Sequence, residues 1–274
     1  MTSSVQGPDS RVSSADPLPA GNTATGWLKI IALAFMLADH IGAAVFPGIP
    51  QLRILGRAAF PIYCWCMVVG FHYTRSVPRY LMRIFIIGLL SQPIYARVLN
   101  HMPSAGAAVG IWTAVMGTKY NIFLTLLLGL LGLWSLREKW FFSQFWGSVA
   151  VLCLATILKV DYGWKGVLFI MLLYASRTAR PAIAALMIAF FLFWGNNYSV
   201  SLLFPLPGGM SISSLPSFLS DPLNAFLKLE TWGLLSLPFI LIRFKKNLKL
   251  PVLMGYLFYP AHLLLIWGLK LLLK

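Results

Sequence analysis

The stretch WLKIIALAFMLADHIGAAVF, residues 27–46, decides the fold. Its length matches the hydrocarbon thickness of a bilayer at about 1.5 Å of helical rise per residue. Yet it carries Lys29, Asp39 and His40. A charged side chain inside such a span costs roughly 2.5–3.5 kcal/mol on insertion scales, so each one needs a partner or a job. The spacing from Lys29 to His40 turns a helix to within about 20° of the same face and advances it about 16 Å. One face therefore presents a cation near a membrane boundary and an imidazole deep in the span. Lys29 reads either as a snorkelling anchor or as a ligand-binding cation. His40 reads as a functional base rather than a packing residue. Asp39 points about 100° away from His40, too far round to orient it, and is expected to pair with an arginine instead.

The rest of the chain agrees with a membrane setting. Of 274 residues, 59% are hydrophobic and 11% charged, and the mean hydropathy is +0.78. Such a composition excludes a soluble globule, a disordered chain and a disulfide-stapled domain. The formal charge of +15 reads as positive-inside loops and contact with anionic headgroups, not as a nucleic-acid surface. Cys64, Cys66 and Cys153 lie in apolar runs without ligand spacing, so no disulfide or metal site is expected. Residues 1–26, rich in Ser, Pro, Gly and Thr, read as a disordered tail, and 27–274 as one membrane domain. Apolar runs at 27–46, 52–72, 80–99, 120–135, 141–159, 163–176, 181–195, 223–243 and 251–272 predict an all-α polytopic protein of about nine transmembrane helices. A short Pro-broken stretch at 199–208 reads as re-entrant or interfacial. The basic clusters at 75–83 and 243–249 favour a cytoplasmic N-terminus.

Polar residues recur where lipid is expected. In the second run Arg53, Gly56, Arg57 and Phe60 share a helix face. Gly56 removes a side chain between two guanidinium groups and permits close approach of a neighbouring helix. The short 46–52 link keeps the first two helices adjacent, which makes an Asp39–Arg57 ion pair reasonable. Pro61 is expected to kink this helix or free a carbonyl. His72, Arg75, Arg79 and Arg83 form a cationic patch, either a topology signal or a phosphate site. Asn121 at a helix start, Asp161 in a turn, and Tyr259 and His262 in the last span complete the candidates.

Two intramembrane histidines with a carboxylate and arginines, and no HExxH or GxSxG, fit proton transfer. That leaves a membrane acyltransferase, with a histidine as base, or a proton-coupled transporter in which Asp39, His40 and His262 relay protons. The segments LKIIALAFMLADHIG, LRILGRAAFPIYCW, GFHYTRSVPRYLMR, GLLSQPIY, NIFLTLLLGLL, DYGWKGVL and FYPAHLLL, in this order, resemble the TraX family of conjugative pilin N-acetylases. The family is similar to type 3 membrane acyltransferases, whose first helix carries an Arg and a His separated by ten residues; Lys29 and His40 keep that spacing with Lys in place of Arg. The resemblance implies an enzyme of the bacterial inner membrane that moves acetyl from cytoplasmic acetyl-CoA, through a polar cavity among the helices, to a pilin amine or an envelope glycan. On that reading His40 is the base, and Arg57 positions Asp39 or stabilises an oxyanion. Lys29, Arg75, Arg79 and Arg83 hold the donor phosphates. His262 is a supporting or alternative base, and Asn121, Asp161 and Tyr259 meet the acceptor.

Overall fold

A computed structural model describes residues 17–99, 120–138, 140–158, 160–193, 216–218, 220 and 228–272. Among the described residues the regular elements are helices. In chain order the helices are α1 (Thr25–Ala44), α2 (Pro50–Gly56), α3 (Ala59–Tyr73), α4 (Val77–Val98), α5 (Ile122–Arg137), α6 (Phe141–Ile157), α7 (Gly163–Ala175) and α8 (Arg180–Phe193). A 3₁₀ helix, Leu229–Ser236, leads into α9 (Leu237–Leu241), and α10 (Val252–Leu272) ends the bundle. Each of the nine expected runs has a helical counterpart among the described residues. The stretch at 199–208 and the tail residues 1–16 lie outside them.

Two runs expected as single α-helices are interrupted, and proline explains both. The second run breaks at Arg57–Ala58, between α2 and α3. Pro61, four residues on, has no N–H to offer the Arg57 carbonyl, and its ring crowds that carbonyl. In the 223–243 run the described part starts as 3₁₀: the Leu237 N–H bonds to the Leu234 carbonyl, three residues back. Pro238 could not have supplied the α-type bond to that carbonyl.

Among the described residues, four segments are long and apolar enough to cross a membrane: α1, Pro50–Tyr73, α4 and Gly255–Leu272. The chain is a membrane protein. Its outer surface is correspondingly greasy, with Trp140, Phe141, Phe142, Phe145 and Trp146 exposed around the start of α6 and Met82, Phe85, Leu89 and Leu90 along α4. Inside, α3 is nearly all buried and forms the hub: Ile62, Trp65, Val68 and Phe71 join Leu28 of α1, Phe169 of α7 and Phe191 of α8 in one core.

Residues 17–24, which the sequence reading places in the tail, strap one end of the bundle. The Ala20 N–H donates to the Arg177 carbonyl (2.7 Å) and the Asn22 N–H to that of Ile240 (2.6 Å). The Asn22 carbonyl accepts the indole N–H of Trp65 (2.7 Å), and Arg243 donates to the carbonyls of Gly21 and Pro19. This strapped end also holds the start of α1 and the links after α3, α7 and α9, with Arg137 over the Phe71 ring. At the opposite end Lys270 of α10 donates to the Val98 carbonyl that closes α4 (3.0 Å).

Candidate functional site

α1 crosses the bundle against α2, α3 and α10, so its polar face looks inward rather than at lipid. Along it lies a cavity of about 590 Å³. Lys29 lines the half towards the strapped end, together with Cys66, Met67, Tyr80 and Tyr256. Asp39, His40, Arg53, Arg57, Asp161, Tyr162, Glu230 and Tyr259 line the other half. The helical spacing read from the sequence thus places Lys29 and His40 in one chamber, about 16 Å apart along α1.

The deep half is built around an ion-pair cluster. Asp39 Oδ1 accepts from Arg53 Nε at 2.9 Å and also from Arg57 Nη2. Arg57 Nη1 reaches Glu230 Oε1 of the 3₁₀ helix at 3.4 Å. One guanidinium, at the break in the second span, therefore bridges two carboxylates from two different elements, and with Arg53 the cluster sets two cations against two anions. Burying charges at this depth is tolerable only because they compensate one another. Gly56 makes the approach possible: a Cβ there would overlap the Asp39 side chain and come within 2.7 Å of its Cα. Arg57 Nε is buried without a hydrogen-bond partner among the described residues.

His40 takes no part in that cluster. Its Nδ1 lies 2.7 Å from Nε2 of His262, and His262 Nδ1 lies 2.9 Å from the carbonyl of Phe258, one turn earlier in α10. The Tyr259 ring packs edge-on against both imidazoles. Its hydroxyl is buried and has no partner among the described residues. Beside it, Asp161 hydrogen-bonds the hydroxyl of Tyr95, and Tyr162 stacks on Phe60 at 3.8 Å between centroids.

The remaining expected residues sit elsewhere. His262 is not on the cavity wall but behind His40. Asn121 caps α5: its Oδ1 accepts from the Phe123 N–H (3.0 Å), its Nδ2 donates to the Gly88 carbonyl (2.7 Å), and its own N–H donates to Gln92 Oε1 (2.8 Å). It clamps α5 to α4 and does not line the cavity. Arg75, Arg79 and Arg83 are all exposed at the strapped end. Of these, Arg83 comes nearest the cavity, 5.7 Å over the ring of lining residue Tyr80. Glu230 and the tyrosines at 63, 80, 95, 162 and 256, which are not among the site residues expected from sequence, also line the cavity. A signal existed for Glu230, a lone carboxylate in an apolar run, but nothing local marked it as the partner of Arg57.

The family model described as "TraX protein" matches residues 24–270 of the chain. Over 258 residues the chain is 26% identical to "Probable fimbrial assembly protein FimC, serogroup H1" of Dichelobacter nodosus, covering 90% of this chain and 96% of that protein. A shorter match, 35% identical over 72 residues, links it to "Uncharacterized protein RP591" of Rickettsia prowazekii (strain Madrid E), covering 26% of this chain and 27% of that one. No solved structure matches.

Proposed function

The chain belongs to the TraX family, and from that premise we propose that it is a membrane acetyltransferase carrying acetyl from acetyl-CoA to the N-terminal amine of a pilin subunit. The observation that carries the reading is the single cavity shared by Lys29 and His40. It offers a cation for donor phosphates at one end and an imidazole with a spare nitrogen about 16 Å away, a span suited to an extended thioester arm. Arg83 at the mouth, with Arg75 and Arg79 beyond it, extends the phosphate-binding surface. The strapped end, rich in Lys and Arg, is then cytoplasmic, in the bacterial inner membrane. The acceptor enters from the opposite end. In that half Asp39 and Glu230 are engaged by Arg53 and Arg57, so the uncharged acceptor amine is met by Asp161 on the cavity wall and by the Tyr259 hydroxyl, buried without a partner among the described residues. The likeness to a fimbrial assembly protein supports a pilus-associated role.

In the transfer step the uncharged amine attacks the thioester carbonyl carbon; the C–N bond forms and the C–S bond breaks. His40 Nε2 removes the proton from the attacking nitrogen and returns it to the departing thiolate, giving an amide and a free thiol. The unpartnered Nε–H of Arg57 supports charge developing on the carbonyl oxygen. The His pair also argues against a proton-coupled transporter. His262 Nδ1 ends on a backbone carbonyl, which can take no proton onward, so the pair is no relay.

The test is to incubate purified protein with labelled acetyl-CoA and an envelope extract and follow the label by mass spectrometry. Label on the N-terminus of a pilin-like protein is expected. Label on a glycan keeps the enzyme class and changes the acceptor. No transfer and no acetyl-CoA binding overturns the reading.

A further inference from the structure

His40 and His262 are far apart in sequence, yet their rings are nearly coplanar, 4° between planes and 5.0 Å between centroids. The facing nitrogens are only 2.7 Å apart, closer than the centroids by about the width of a ring. The two imidazoles therefore meet edge to edge along a hydrogen bond, not face to face. The direction of that bond follows from its far end. The Phe258 carbonyl can only accept, so His262 Nδ1 carries a proton. In a neutral ring His262 Nε2 is then bare and can only accept, and His40 Nδ1 must donate to it. The remaining nitrogen of His40, Nε2, is left with its lone pair. Phe258 lies one helical turn before His262, so its carbonyl, with two lone pairs, can serve the ring as well as the helix.

Building on the acetyltransferase reading, we propose that His262 is a positioning residue: it locks the ring plane and tautomer of His40 so that Nε2 is the base, and it holds the Nδ1–H while the ring is charged. The proton that His40 takes from the attacking nitrogen stays on Nε2 and leaves to the thiolate of the donor. It does not pass into His262, whose own N–H is tied to a carbonyl. The balance is one proton from nitrogen to Nε2 and the same proton from Nε2 to sulfur. A backbone carbonyl thus anchors the pair where other catalytic histidines use a carboxylate, which agrees with Asp39 being turned away to Arg53 and Arg57.

The experiment compares wild type with His262→Phe, which removes the acceptor, and His262→Gln, which places an amide oxygen near the former Nε2. Full-length protein carrying ¹⁵N-labelled histidine has four imidazoles to assign, and a His40→Gln sample identifies the signals of His40. In wild type His40 should show a protonated Nδ1 and a bare Nε2. His262→Phe should lose that preference and lower kcat by about 10²-fold or more with the KM for acetyl-CoA unchanged. His262→Gln should keep the tautomer and most of kcat. A bare Nδ1 in wild type, a folded His262→Phe protein with wild-type kcat, or a His262→Gln protein as impaired as His262→Phe overturns the proposal. Should His262→Phe not fold, the wild-type tautomer and the His262→Gln kinetics decide it. Absence of acetyl transfer in wild type defeats the function reading alone, because the tautomer of His40 still decides whether His262 sets the ring.

Discussion

The two ends of the cavity handle charge in opposite ways. At the strapped end the cations are separate and wet: Lys29 is half-buried, and Arg83 is exposed over a tyrosine ring. At the other end Asp39, Arg53, Arg57 and Glu230 form a cluster in which the opposing charges are matched, with Arg57 and Glu230 buried and Asp39 and Arg53 partly so. Exposed cations bind polyanions loosely and adapt to them, whereas buried pairs fix geometry and are costly to disturb. The contrast teaches that one end is suited to holding a flexible anionic ligand and the other to holding reacting groups in register. His40 sits at the boundary, anchored by α10 rather than by the charges beside it.

The comparison breaks first at His40. If chemistry belongs to the deep end, His40→Ala should lower acetyl transfer by about 10²- to 10⁴-fold while acetyl-CoA binding, read by calorimetry, stays within a few-fold. Equal loss of binding and rate would place His40 in the donor site instead.

Arg57→Met comes next. It removes the guanidinium that reaches Glu230 and leaves Asp39 with Arg53, and breaking one partner from a buried cluster typically costs about 3–5 kcal/mol. A clear drop in the detergent melting temperature is expected, with partial recovery in Arg57→Met/Glu230→Gln. An unchanged melting temperature would show the cluster to be hydrated and adjustable like the cations at the other end.

Gly56→Ala probes the same end with no change of charge. The added methyl meets Asp39, so α2 must shift from α1, at a cost of about 1–3 kcal/mol by analogy with overpacked cores. Loss of transfer should exceed loss of stability, because the shift moves Arg53 and Arg57 together. Gly70, where a Cβ would meet the Tyr80 side chain at ordinary contact distances, its hydroxyl nearest at 3.4 Å, is the matched control and should tolerate alanine.

These residues also show what could be read from the sequence. Hydropathy located the spans because a bilayer leaves helices few other options. The Lys29–His40 face followed from helical geometry within a single element. The Asp39–Arg57 pair followed from a short link and a glycine. By contrast, the partner of His40 is 222 positions away and the second carboxylate on Arg57, Glu230, is 173 positions away. No periodicity encodes which turn of α10 or of the 3₁₀ helix faces them. Asn121 misled for a related reason: a polar residue at a helix start suits a ligand or a cap equally well, and here the neighbouring α4 backbone takes its side chain. The break at Arg57 was legible only as a kink at Pro61, since the effect of a proline appears four residues upstream.

The smallest effects are expected at the strapped end, and they sharpen the comparison most. Arg83→Gln removes an exposed cation that meets the cavity wall at Tyr80 and Tyr256. Exposed charge pairs gain little, so KM for acetyl-CoA should rise by about fivefold at most, with kcat and melting temperature unchanged. Lys29→Gln, half-buried on the wall itself, should raise KM further. Both increases should shrink as ionic strength rises, because salt screens wet charges within about 10 Å. The Arg57→Met loss should persist in the same salt, since screening barely reaches a buried cluster. If the Lys29→Gln effect proved equally insensitive to salt, the strapped end would bind its anion dry, and the two halves of the cavity would differ in whether their charges are paired within the protein, not in access to water.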